Sequence, residues 1–158
     1  MRATRVLLTI STLLLINSSD LIAQDDLENV EYSIIAQGNK SPLNDVAMVC
    51  FNKYFNLESL SEEFRQANNL DDKSLYKKKM LIEIFLGERT RGADSIKLTK
   101  IAQNDNELIV AYETIDSDTS DFDNRPYLII QIPKIKKSIV LFENGKQRGG
   151  QRELYIDN

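Results

Sequence analysis

The sequence predicts a mainly β (α+β) domain: an antiparallel sheet or sandwich with one helix between its second and third strands. Three observations carry this. Residues 79–86 run Lys-Met-Leu-Ile-Glu-Ile-Phe-Leu, with Met80, Ile82, Ile84 and Leu86 on one face of a strand and Leu81 and Phe85 on the other. A strand apolar on both faces belongs in the middle of a sheet, covered on both sides. Several further short apolar or alternating runs are separated by clusters of Gly, Asn, Asp and Pro, the spacing of an all-β domain. Only residues 56–68 carry helical spacing, through Leu57, Leu60, Phe64 and Ala67. Glu83 alone interrupts the central run, so it is expected at an open edge or in a polar pairing.

The chain starts with the pattern of a secretory signal. Arg2 and Arg5 precede an apolar core over residues 6–16, which Asn17, Ser18, Ser19 and Asp20 break before Leu21-Ile22-Ala23. That core is too short for a membrane span, which needs roughly 20 apolar residues, and suits a cleaved peptide. Cleavage is expected after Ala23, giving a soluble periplasmic or extracellular protein with no stable membrane anchor. Residues 24–158 then form a single domain. Loss of Arg2, Arg5 and Asp20 moves the formal net charge from -4 to -5. Mild acidity argues against nucleic acid, whose binding needs clustered cations. Cys50 is the only cysteine, so no intrachain disulfide forms, and its neighbours Met48, Val49 and Phe51 suit a buried thiol.

Residues 24–29 read as a mobile lead-in and 30–36 as a first strand, with Tyr32 and Ile34 on one face and Ser33 and Ile35 on the other. Residues 37–42 are a loop by composition. Residues 45–51 form the second strand, with Val46, Met48 and Cys50 sharing a face. At the helix start, Ser59 with Glu62 satisfies a capping box, and Asn56 serves equally with an earlier start. Lys77-Lys78-Lys79, the one dense basic run, caps the solvated start of the central strand.

After that strand, the turn Glu88-Arg89-Thr90-Arg91-Gly92-Ala93 leads into a half-buried strand over 95–102. Asn104-Asp105-Asn106 turns it into 107–114, where Leu108, Val110 and Tyr112 share a face. An acidic loop follows over 115–124. Arg125-Pro126-Tyr127 opens a strand over 128–132, ended by Pro133, which cannot donate to a ladder. Residues 138–142 are the next strand, Asn144-Gly145 a turn, and 152–156 a short edge strand.

Composition excludes much chemistry. The chain has no histidine, so it holds no Ser-His-Asp or Cys-His constellation and no histidine-based zinc site. It has no glycine-rich phosphate loop, and nothing singles out one carboxylate pair or Ser-Lys dyad. The protein is expected not to be an enzyme and to need no cofactor or metal. The acidic loop places Asp116, Asp118 and Ser120 at the first, third and fifth positions of a calcium loop. Asp121 then stands in the glycine position and Tyr127 in that of the bidentate glutamate, so a solvated loop accounts for it better. Two stretches suit a binding surface instead: the cationic turn Arg89, Thr90, Arg91, Gly92 and the segment Arg125, Pro126, Tyr127. An ordinary hairpin turn and an ordinary strand start account for the same residues.

Residues 84–96 (Ile-Phe-Leu-Gly-Glu-Arg-Thr-Arg-Gly-Ala-Asp-Ser-Ile), 108–114 (Leu-Ile-Val-Ala-Tyr-Glu-Thr) and 125–133 (Arg-Pro-Tyr-Leu-Ile-Ile-Gln-Ile-Pro) together resemble the C-terminal domain of the protease complex accessory subunit family, PrcB. The family's pattern is an apolar strand ending in glycine, a Thr-Gly-Gly-aromatic turn, a valine-rich strand ending in glutamate, and a Ser-Pro-Tyr strand of β-branched residues. The resemblance is strongest over 78–143. Where the family has Gly-Gly-aromatic, this chain has Arg91-Gly92-Ala93. The resemblance implies a non-catalytic exported subunit that binds and stabilises a protein partner, a secreted serine protease or another envelope protein. Arg89, Thr90, Arg91, Gly92, Arg125, Pro126 and Tyr127 would form the contact. The same two loops are similar in kind to those of chagasin-like cysteine protease inhibitors, which implies an inhibitor as the alternative. Calcium-assisted envelope scaffolding through a sheet edge is a third.

Overall fold

The strand over residues 79–86 is the one on which the others assemble. The computed structural model describes residues 27–51, 60–88, 94–116, 124–148 and 154–155. In chain order these form β1 (Glu28–Asn29), β2 (Ser33–Gly38), β3 (Val46–Phe51), α1 (Glu62–Ala67), a 3₁₀ turn (Lys73–Tyr76), β4 (Lys79–Leu86), β5 (Ser95–Gln103), β6 (Glu107–Ile115), β7 (Tyr127–Pro133), β8 (Ser138–Glu143), β9 (Lys146–Gln147) and β10 (Leu154–Tyr155). The strands build two five-stranded sheets, ordered β1-β5-β6-β8-β9 and β10-β3-β4-β7-β2. The expected signal segment, 1–23, lies outside the described residues.

β4 takes the middle of its sheet, antiparallel to β3 and β7. Met80, Ile82, Ile84 and Leu86 of β4 and Leu128, Ile130 and Ile132 of β7 face the other sheet, where they meet Ile96, Ile101, Leu108, Val110, Tyr112 and Leu141. The reverse face of the same two strands is apolar as well: Leu81, Phe85, Tyr127 and Ile129 lie under Leu60, Phe64, Leu70 and Tyr76. A helical layer over β4 and β7 is therefore what their second apolar face requires. Each Leu or Ile so covered contributes about 1.5–3 kcal/mol relative to exposure. α1 lies in the chain between β3 and β4, the second and third of the strands read from sequence.

Local irregularities keep side chains on the correct face. β5 pairs Leu98 with Tyr112 but Lys100 with Ala111, a bulge around Thr99. The extra residue shifts the alternation so that Ile96 and Ile101, an odd number of positions apart, both enter the core. The β8–β9 hairpin turns on Asn144 (φ 51) and Gly145 (φ 74), successive left-handed residues suited to a tight hairpin.

The mainly β reading with one helix between the second and third strands holds; its pairing is refined and two local expectations are corrected. Pairing is not wholly antiparallel: β6 and β8 run parallel because β7, between them in the chain, crosses in the opposite sheet. β10 also runs parallel to β3, as the edge strand of its sheet. The helix cap is Ser61, not Ser59 or Asn56: the Phe64 N–H donates to Ser61 Oγ (3.3 Å), and Glu62 and Glu63 fill the first turn. Residues 52–59 lie outside the described residues. Glu83 is neither at an edge nor paired: it is 0% exposed in the central strand, and neither carboxylate oxygen has a hydrogen-bond partner among the described residues.

Candidate functional site

The end of the sandwich where β4 leaves and β7 enters gathers the segments that the sequence marks for binding. Gly87 turns the chain there with φ +67, and a Cβ on it would lie 2.5 Å from the Asn44 carbonyl oxygen. Only glycine permits this backbone-on-backbone approach. The Glu88 N–H donates to that same Asn44 oxygen (2.8 Å), and the Leu86 N–H donates to the Pro126 carbonyl (3.0 Å). Asp94, where the chain returns, donates its N–H to the Ile115 carbonyl (2.8 Å) and accepts a hydrogen bond at its carboxylate from Asn124 Nδ2. Both flanks of the turn 89–93 are thus tied to residues 124–126. The turn itself, with Arg89, Thr90, Arg91 and Gly92, lies outside the described residues.

Arg125 is a clamp as much as a surface charge. Its N–H donates to the Asn39 carbonyl (2.8 Å), and its carbonyl accepts from the Ser41 N–H (2.9 Å). Its guanidinium Nη1 donates to Asn44 Oδ1 at 2.9 Å, leaving the side chain half-buried. Pro126 is buried.

Tyr127 departs from the expectation of an aromatic anchor for a partner. It is 9% exposed, on the helical face of β7, with its ring edge-on to Phe64 at 4.9 Å and tilted against Phe85 at 6.4 Å. Its hydroxyl donates to Asn68 Oδ1 (3.2 Å). The residue packs inside the domain because β7, being central, presents alternate residues to the helical layer.

A hollow of about 240 Å³ opens between Gln37, Gly38 and Asn39 at the end of β2 and Asp94, Ser95 and Ile96 at the start of β5. Sequence reasoning placed residues 124–127 at this end but did not single out Asn44 or Asp94 as members of it. Each is a polar residue in a polar loop; the register of β3, β4 and β7 places Asn44, and the start of β5 in the other sheet brings Asp94 to Asn124. Asn124 is buried at 5% exposure, the one signal being its place immediately before Arg125-Pro126.

The arrangement offers hydrogen-bonding groups and charges of both signs. Among the described residues no group of three or more potential metal ligands converges. Of the acidic loop, Asp116 is described, while Asp118, Ser120 and Asp121 lie outside the described residues; Tyr127, the last calcium-loop position, faces the aromatic cluster. Glu83 is the acid most displaced from its ordinary range: burial pushes it up to about 8. It faces the helical layer from the middle of β4, among Leu81, Phe85 and Ile129, not this end of the sandwich. No family model, curated protein or solved structure matches the chain.

Proposed function

We propose that this chain is a non-catalytic, exported accessory subunit that binds and stabilises a secreted protease or another envelope protein. The contact is the end of the sandwich formed by residues 88–93 and 124–126. One observation supports this above the others: both flanks of the cationic turn are held against residues 124–126, by the Leu86–Pro126 backbone bond and by Asn124 on Asp94. The loops are thereby carried by the two central strands, the most rigid part of the sheet, as loops that recognise a partner commonly are. The partner class rests on the resemblance to the PrcB family in the order and spacing of strands and turns. Arg89 and Arg91 bring planar guanidinium forks suited to carboxylates on a partner.

The test is affinity purification of the tagged protein from its native envelope, with identification of what co-elutes. A secreted protease retained by the wild type and lost with Arg89→Glu and Arg91→Glu, at unchanged melting temperature, is the expected result. Retention of the partner by both charge reversals would remove this end as the contact. Inhibition of a papain-type protease by the purified domain, with no co-eluting serine protease, would favour the inhibitor reading instead.

A further inference from the structure

The opposite end of the sandwich is lysine-rich in a way the linear sequence conceals. Lys77, Lys78 and Lys79 lead into β4, and the register places Lys79 beside Pro133, so the residues after β7 emerge next to them. Those residues bring Lys134 and Lys136. All five lysines are exposed, and none of their ammonium groups makes a hydrogen bond or ion pair among the described residues. Lys77, Lys78 and Lys79 line a shallow hollow of about 380 Å³ with Ser74, Leu75 and Gln131, whose Nε2 donates to the Leu75 carbonyl.

Carboxylates are interspersed at this end and partly occupied: Glu28 lies opposite Gln103 and accepts from its Nε2 (3.2 Å), and exposed Glu31 leads into β2 beside the end of β7. Asp71 is in an ion pair with Arg65 (3.1 Å). Asp72 accepts from the Ser74 N–H and Oγ (both 2.8 Å), and those bonds hold its pKa below the ordinary value. Asp105 and Glu107 lie in the neighbouring β5–β6 turn, beside Lys137, which is itself bonded to Gln103 and Asn104. A protein of net charge -4 thus gathers five exposed lysines where β4 begins and β7 ends, with the carboxylates set around them.

We infer that this face docks the protein electrostatically on an anionic lipid surface. The composition of the patch decides among partners. Protein interfaces are depleted in lysine and centred on Trp, Tyr and Arg, and single-stranded nucleic acid is held by aromatic stacking with Arg. The five residues here are all lysine, strongly hydrated point charges that need no fixed geometry opposite them. A fluid array of acidic headgroups meets that requirement, each lysine adding attraction while remaining solvated. Bound this way, the lysine end faces the membrane and the Arg125 end faces away from it.

The experiment is cosedimentation of the purified protein with vesicles of phosphatidylcholine alone and of phosphatidylcholine with phosphatidylglycerol. Binding is expected only to the anionic vesicles and is lost as salt is raised, since screening shortens to about 8 Å at physiological ionic strength. Lys78→Ala and Lys134→Ala should each lower the partition coefficient about fivefold. Lys146→Ala, in the β8–β9 hairpin away from the patch, should leave it unchanged. Absence of binding to anionic vesicles at low salt overturns the inference. So does binding that is indifferent to the Lys78 and Lys134 substitutions, or equally weakened by Lys146→Ala.

Discussion

Glu83 stands directly across the β4–β7 ladder from Ile129, so a carboxyl group and an isoleucine share the face that the helical layer covers. No described group on β7, α1 or the 3₁₀ turn offers it a charge: Arg65 is committed to Asp71 and the Leu60 carbonyl, and the Tyr76 hydroxyl to the Leu70 carbonyl. Burial therefore favours the protonated form and pushes its pKa up to about 8.

Stability consequently has a defined pH slope. Between the ordinary value of 4.5 and about 8, the folded protein holds a proton on Glu83 that the unfolded chain has released. Stability therefore falls as pH rises through this window, by at most about 1.4 kcal/mol per pH unit from this group. Glu83→Gln should remove that component. Urea denaturation at pH 5, 7 and 9 should show the variant gaining on the wild type with rising pH. A constant difference would contradict the buried, unpaired carboxylate.

Tyr127 should behave as a core residue. Tyr127→Phe keeps the ring against Phe64 and Phe85 and loses only the bond to Asn68, a cost of about 0.5–1.5 kcal/mol. Tyr127→Ala empties the aromatic cluster and should cost about 3–5 kcal/mol. Equilibrium denaturation of the two variants checks the ordering, and equal, small losses would place the ring at the surface.

Gly87→Ala should destabilise the protein by well over the about 1 kcal/mol that a left-handed backbone alone costs a residue with a Cβ. The added methyl would meet the Asn44 oxygen at 2.5 Å and the Asp45 carbonyl carbon at 2.8 Å, both backbone atoms that cannot swing aside. Gly145→Ala is the control, since a Cβ there meets nothing within 4 Å and carries only the strain of φ +74. Thermal unfolding should separate the two clearly.

Ser61→Ala removes the side-chain acceptor of the Phe64 N–H and should cost about 1 kcal/mol. Ser59→Ala should cost less if the cap is as described. A larger loss at Ser59 in chemical denaturation would move the helix start back toward the earlier, sequence-based position.

The apolar patterns of residues 80–86 and 128–132 determined by themselves that β4 and β7 are strands buried on both faces, because a period of two assigns each side chain to a face without reference to any neighbour. Lys77-Lys78-Lys79, the Asn144-Gly145 turn and the edge strand near residue 154 were legible for the same local reason. Which strands became neighbours was decided only in three dimensions. The parallel β6–β8 pair exists because β7 crosses to the other sheet, and no local pattern encodes that crossing. The fate of Glu83 was decided there too: a carboxylate in an apolar strand suggests an edge, yet six apolar neighbours on the strand bind its backbone into the sheet centre and carry the acid with them. Arg125 against Asn44 and Lys134 beside Lys77–Lys79 are products of register, since their partners lie far away along the chain and meet only when β4 pairs with β3 and β7, and Asn124 meets Asp94 only where the two sheets come together.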